Sequence, residues 1–174
     1  MQPKHLAIAL WITALLILVG VFTRSWFTPD RGDGGVGLTG VEVCRGGRCQ
    51  TASWDELKRA PKDIGVFGWL GMVGGLGSAG LVAAVGGLVF AGRPVRIPLK
   101  VVSVVLGVTA FATTMFAMRV LGEMSRDVSL GFSGFLAVGG LLVAGGLVQK
   151  GVAPLTRAQA AGGALAPPGA GAAI

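Results

Sequence analysis

Four long stretches with no charge in their middle constrain this chain more than anything else in it. They are "LAIALWITALLILVGVF" (6–22), "IGVFGWLGMVGGLGSAGLVAAVGGLVFAG" (64–92), "LKVVSVVLGVTAFATTMFAMRVLG" (99–122) and "VSLGFSGFLAVGGLLVAGGLV" (128–148). About 20 apolar residues in a helix cross the ~30 Å hydrocarbon layer of a bilayer. A helix is also one of only two backbone forms that satisfy their own polar groups there. Each stretch is therefore expected to span a membrane, the first running to about residue 23. Composition agrees: charged residues are 13% of the chain and mean hydropathy is +0.73, whereas soluble domains carry about 25% charge.

The first stretch follows Lys4 and His5, as the apolar core of a signal peptide would. Such cores run about 7–15 residues and end at a small-x-small cleavage site. This one is longer and runs into "TRSWF", so an uncleaved helix is expected. Pro94 and Pro98 separate the second and third stretches, because proline disfavours continued helix. Ser125 or Asp127 is the expected N-cap of the fourth. Residues 149–174 are rich in Ala, Gly and Pro and are expected to form a disordered cytoplasmic tail after a membrane domain of residues 1–148.

Small residues recur every three or four positions in the last three spans. They are Gly68, Gly71, Gly75, Ala79, Ala83 and Gly86 in the second; Ser103, Gly107, Ala110, Thr114 and Ala117 in the third; Ser133, Ala137, Gly140 and Ala144 in the fourth. Helices in lipid gain little by hiding leucine from leucine, so they associate where small residues let backbones approach. The pattern predicts a compact bundle with one seam per helix, Gly71, Gly75, Gly107 and Gly140 among the packing positions. It speaks against a wide polar channel.

Charge orients the bundle. All eight Asp and Glu lie between residues 30 and 127, and none lies within 64–122. Lys4, Arg93, Arg96, Lys100, Lys150 and Arg157 therefore share one side free of acid. The short 93–100 loop carries the strongest topogenic signal. Both termini are expected in the cytoplasm, with the 24–63 loop outside, in a plasma (inner) membrane. High Gly and Ala content and compact loops suggest a bacterium. The net charge of +7 is read as topology rather than nucleic-acid binding, since no basic run with interleaved aromatics accompanies it.

The outer loop holds both cysteines of the chain, in "VEVCRGGRCQ" (41–50). A Gly-Gly pair is a favoured two-residue hairpin turn, because both positions tolerate positive φ. With Gly46 and Gly47 at the turn, Arg45 faces Arg48. Cys44 then faces Cys49 in a non-hydrogen-bonded pair, with Cα atoms roughly 4.5 Å apart. That lies within disulfide reach, on the oxidising side of the membrane. A structural staple is the first reading. A thiol/disulfide redox pair linked to quinone is the second, for the flanking arginines would lower a thiol pKa. Zinc needs four ligands and haem attachment needs C-x-x-C-H; neither pattern is present, and no cofactor is expected.

The first loop also has a recognisable order. Trp26 follows the first span; Gly37-Leu38 comes next; then the two cysteines; then Arg59 just ahead of the second span. With the four spans, this order resembles the claudin and peripheral myelin protein superfamily over roughly residues 6–148. Thr39 stands where that family carries a second Trp. The resemblance implies an outer β-sheet, its neighbouring strands bridged by the two cysteines, standing on a left-handed four-helix bundle.

Other residues have plainer readings. Arg119 and Glu123 are expected to form an interfacial i,i+4 pair. "SWDELKRAPKD" (53–63) is expected to form a short amphipathic helix capped by Ser53, with Glu56 completing a capping box. Trp69 suits the headgroup level; Trp26 and Trp54 suit that level or the underside of the sheet; Trp11 is a packing residue within the first span. The expected fold is an all-α four-helix transmembrane bundle with a small disulfide-stapled extracytoplasmic hairpin or sheet. No nucleophile–base pair or carboxylate pair points to catalysis. The expected function is therefore non-enzymatic, exercised through contact with other membrane proteins or through self-association. Redox chemistry at Cys44–Cys49, and a small transporter or channel component, are the alternatives.

Overall fold

The computed structural model describes residues 2–29, 33–57, 61–124 and 128–164. In chain order the elements are α1 (Pro3–Phe22), β1 (Phe27–Pro29), β2 (Asp33–Gly37), β3 (Gly40–Arg45), β4 (Arg48–Ser53), α2 (Lys62–Phe90), α3 (Leu99–Met124), β5 (Val128–Leu130), α4 (Phe132–Leu147) and α5 (Ala153–Ala164), with a π-turn (Val148–Val152) joining the last two.

Four helices are long and apolar enough to cross a membrane, the fourth running through the π-turn from Phe132 to Gln159. At 1.5 Å per residue, α2 measures about 43 Å, so it must tilt in a bilayer or project beyond it. Helix ends follow local chemistry. Proline occupies the first turn of α1, where its missing N–H costs nothing. Asp63 lies in the first turn of α2, favourably placed against the helix dipole. The C-terminus of α2 is closed by Gly92 at φ 64°: the Gly92 N–H donates to the Val89 carbonyl at 3.2 Å and the Arg93 N–H to the Leu88 carbonyl at 2.9 Å. This is a Schellman closure, which uses glycine for its left-handed residue.

The helices form a ring in which α1 packs on both α2 and α4, and α2 on α3. The pair α3–α4 is looser and leaves a groove of about 330 Å³ between Thr114, Ala117, Gly134 and Val138. The seam of α2 runs along Ile64, Gly68, Gly71, Gly75, Ser78, Ala79, Val82 and Gly86; that of α4 runs along Ser133, Ala137, Gly140 and Ala144. A Cβ on Gly75 would run into Val21, and one on Gly140 would lie 2.9 Å from Ile17 Cγ1. One on Gly71 would lie 3.1 Å from Thr113 Cγ2. In α1, Gly20 faces Ala137, whose Cβ would be 2.7 Å from a Cβ at that position. Polar contacts cross the same seams: the Trp11 indole N–H donates to the Ala83 carbonyl at 3.1 Å, and Ser78 and Thr109 hydroxyls meet at 3.1 Å. Among the described residues every buried side-chain N and O atom has a hydrogen-bond partner.

Four expectations need correction. Gly107 does not line a seam: a Cβ there meets nothing within 4 Å. The buried face of α3 is Val102, Leu106, Thr109, Thr113, Phe116 and Val120, one residue out of phase with the small-residue stripe. The fourth helix begins at Phe132 with Gly131 as N-cap. Residues 128–130 form a strand instead, and Ser125 and Asp127 lie outside the described residues. The chain beyond 148 is helical to Ala164 rather than disordered from 149. The π-turn explains how: Pro154 cannot donate to Lys150 and would crowd its carbonyl, and widening the preceding turn absorbs both defects. Residues 165–174 lie outside the described residues. Finally, no helix forms from Ser53: residues 54–56 form a turn, and α2 starts at Lys62. One half of the expected capping box survives, since the Ser53 N–H donates to Glu56 Oε2 at 3.0 Å.

At one end of the bundle stands an antiparallel sheet of strand order β4-β3-β2-β1-β5. It is wider than a hairpin because β5, from the connection between α3 and α4, pairs with β1: Phe27 with Leu130, Thr28 with Ser129 and Pro29 with Val128.

Candidate functional site

The sheet and the aromatic layer beneath it are where this fold gathers specific chemistry. The β3–β4 turn is Gly46-Gly47, with φ of 56° and 78°, both in the left-handed region a type I′ hairpin needs. Arg45 pairs with Arg48 and Cys44 with Cys49. The two cysteines are joined by a disulfide with Cα atoms 4.0 Å apart, somewhat closer than the register alone suggests. The alternation of strands puts Glu42, Cys44, Cys49 and Thr51 on one face. The Glu42 carboxylate and the two sulfurs lie within 4.8 Å of one another, but bonded sulfurs offer no thiolate to a metal. What this cluster can do chemically is thiol–disulfide exchange at one bond, with Cys49 and Arg48 both exposed.

The opposite face settles on the bundle. Val36 pairs with Val41; Val36 is buried and Val41 packs against the core. Strand β2 reads "DGGVG"; Gly35 and Gly37, the partners of Glu42 and Gly40, alternate with Val36 onto the cysteine-bearing face, and they are there for approach. A Cβ on Gly35 would strike the Arg24 carbonyl oxygen, and one on Gly37 would lie 3.2 Å from Arg24 Cα. The strand can therefore lie directly over the chain leaving α1. On α2, a Cβ at Gly68 would occupy the place of the Leu38 carbonyl oxygen.

Three aromatic side chains from the loop converge on one from the bundle. Trp26, Phe27 and Phe116 are fully buried, and Trp54 is nearly so. Phe116 lies 5.8 Å from Trp26 at 84°, 5.9 Å from Trp54 at 74°, and 6.2 Å from Phe27 at 53°. The two near-perpendicular contacts suit the positive ring edge and negative ring face of aromatic pairs. Each indole N–H is also used. Trp26 donates to the Gly20 carbonyl at 2.5 Å, and Trp54 to the Leu38 carbonyl at 2.9 Å. Gly20 belongs to the last turn of α1, whose carbonyls have no helical partner; Trp26 thus caps α1 while filling the space beneath the sheet.

Of the residues singled out from sequence, Trp26, Gly37 and Leu38 meet in this layer, whereas Arg59 lies outside the described residues. Cys44, Cys49, Gly46 and Gly47 form the hairpin tip, and Gly71 brings Leu38 and Thr113 together. Arg119 pairs with Asp63, Nε to Oδ2 at 3.1 Å, and not with Glu123. The first turn of α2 lies across from α3 at this height, so an arginine reaches a neighbouring helix instead of its own. Both side chains are substantially exposed, so the pair contributes at most about 1 kcal/mol. Phe116, Gly35 and the Ser25–Ser133 hydroxyl contact carried no sequence signal of their own, whereas Gly68 belongs to the small-residue stripe of the second span. Trp54 supplies the second buried indole beside Trp26.

No protein-family model matches this chain, and no curated protein matches it either.

Proposed function

We propose that this chain is a non-enzymatic four-span membrane protein that works through protein–protein contacts made by its sheet. The observation that carries the reading is β4. Among the described residues it is an edge strand, exposed at every residue but Ala52, on a sheet held from both sides. The disulfide fixes the hairpin register, and the Trp26, Trp54 and Phe116 layer fixes the sheet to the helices. A free edge offers a row of backbone donors and acceptors to a partner strand, and prior rigidity lowers the ordering cost of binding.

Membrane residence is supported by the surface of the helices. Ile12, Leu15, Phe22, Leu70, Val104, Phe111, Phe135 and Leu142 are all more than half exposed, an arrangement suited to lipid and costly in water. The proposed topology places the sheet outside and both termini in the cytoplasm, in a bacterial inner membrane. The resemblance to the claudin and peripheral myelin protein superfamily leads to the same architecture; a disulfide between neighbouring strands, and the burial of Trp26 and Leu38 at the foot of the sheet, support it. The test is cross-linking in native membranes from Gln50→Cys, on the exposed edge, in a chain lacking the native cysteines. A defined cross-linked species is expected. Cross-linking no greater than from Leu142→Cys, on the lipid-facing surface, would count against the sheet as the contact surface.

A redox role for Cys44–Cys49 is the second reading, favoured by the exposure of Cys49. It requires the thiols to turn over with a quinone, and a reduction potential well above the roughly −300 mV below which structural disulfides lie.

A further inference from the structure

The end of the bundle opposite the sheet carries an unbalanced charge. Lys4, Arg93, Arg96, Lys100, Lys150 and Arg157 are all exposed there. No Asp or Glu occurs in residues 1–29, 64–122 or 128–174, so no acidic side chain at this end is available to neutralise them, and an anionic molecule is suited to this end.

A small pocket of about 90 Å³ lies in the midst of these cations, between the start of α1, the α2–α3 turn and α5. Its inner lining is apolar: Val89 and Val152 are buried and Leu155 is half-buried. Its rim carries Arg93, Thr156 and Gln159. The Thr156 hydroxyl already donates to the Ala153 carbonyl at 2.9 Å; among the described residues the Arg93 guanidinium and the Gln159 amide have no such acceptor and remain the donors of the rim. A guanidinium is the side chain best shaped to hold a phosphate. The α5 wall exists because the π-turn carries the helix past Pro154.

We propose that this pocket holds the headgroup of an anionic phospholipid, with Arg93 and Gln159 on the phosphate and the apolar inner lining against the first atoms of the lipid tail. The amphipathic lining selects a lipid over a soluble anion, because a free phosphate would match the rim alone. The exposed cations around it draw the anionic surface of the leaflet to the same place. The inference rests on the membrane reading. That reading is checked separately: the chain must stay in the pellet after alkaline carbonate extraction.

The experiment uses the full chain in detergent, titrated with phosphatidylglycerol, phosphatidylcholine or inorganic phosphate. Bound lipid is counted by native mass spectrometry, and thermal unfolding is followed in parallel. Phosphatidylglycerol should be retained and should raise the unfolding temperature, whereas phosphatidylcholine and inorganic phosphate should not. Arg93→Gln should weaken phosphatidylglycerol retention at least about fivefold, and Gln159→Leu should weaken it less. Arg48→Gln, the same charge change at the sheet end, should leave it unchanged. Equal retention of the two lipids, an equal effect of inorganic phosphate, or an Arg93→Gln variant that behaves like Arg48→Gln would each overturn the assignment.

Discussion

Replacing Phe116 by alanine tests whether the sheet and the bundle are one cooperative unit. Phe116 is fully buried and its ring meets all three loop aromatics, with centroids at 5.8, 5.9 and 6.2 Å. Aromatic pairs contribute about 0.5–1.5 kcal/mol each beyond area burial, so three give about 1.5–4.5 kcal/mol. Phenylalanine-to-alanine changes in packed cores cost about 3–5 kcal/mol, cavity included; the two estimates overlap at about 3–4.5 kcal/mol. For a chain of this size, 1 kcal/mol moves the midpoint by about 2–4 °C, which puts the expected fall at about 6–18 °C. Phe111→Ala is the internal control: the same helix and the same change, at a residue 59% exposed. The assay is thermal unfolding in detergent, with protection of the β2 and β3 amides followed by hydrogen exchange. Phe116→Ala should lower the midpoint and also loosen the sheet, while Phe111→Ala should do neither. Midpoints within about 2 °C of each other, or a sheet whose protection is unchanged, would refute the claim that Phe116 joins the two layers.

Gly75→Leu should lower the midpoint well beyond Gly107→Leu, because a side chain at 75 meets Val21 and one at 107 meets nothing; equal midpoints would misplace the seam. Trp26→Phe keeps the ring contact but leaves the Gly20 carbonyl without its donor, and should cost about 1–3 kcal/mol in the same assay. The double variant Cys44→Ala/Cys49→Ala should insert normally but lose hydrogen-exchange protection across β3 and β4. Closing so small a loop contributes about 2 kcal/mol by chain entropy, so full protection after its removal would show that the sheet holds the hairpin unaided.

What the sequence discloses depends on the solvent that selected it. The four helices were legible because an uncharged apolar run has one strong reading. The hairpin tip was legible because Cys44, Arg45, Arg48 and Cys49 lie symmetrically about two glycines. The seam of α3 was not. In a helix apolar on all faces, hydrophobicity has no period that marks the inside, and residue size becomes the only guide. That guide fits α2 and α4 but fails at Gly107, where bulky Val102, Leu106, Phe116 and Val120 fill the interface instead. The rest of the sheet was hidden for another reason. Strands β1 and β5 have three residues each, too few for alternation to register, and β2 is mostly glycine. Its glycines follow from a contact with Arg24 that only the fold brings about. The helical stretch past 148 was obscured by Pro154 and by an Ala-Gly composition that reads equally as disorder.

The proposed arrangement is four spans, with the sheet outside and the cationic end in the cytoplasm. Single cysteines placed in a chain lacking Cys44 and Cys49 report on it directly. The positions are Gln50 on the sheet edge, Val95 between α2 and α3, and Gln159 on α5. A membrane-impermeant maleimide applied to intact cells should label Gln50→Cys alone, with the other two labelled only after the membrane is opened. Labelling of Val95→Cys or Gln159→Cys from outside, or protection of Gln50→Cys, would contradict it.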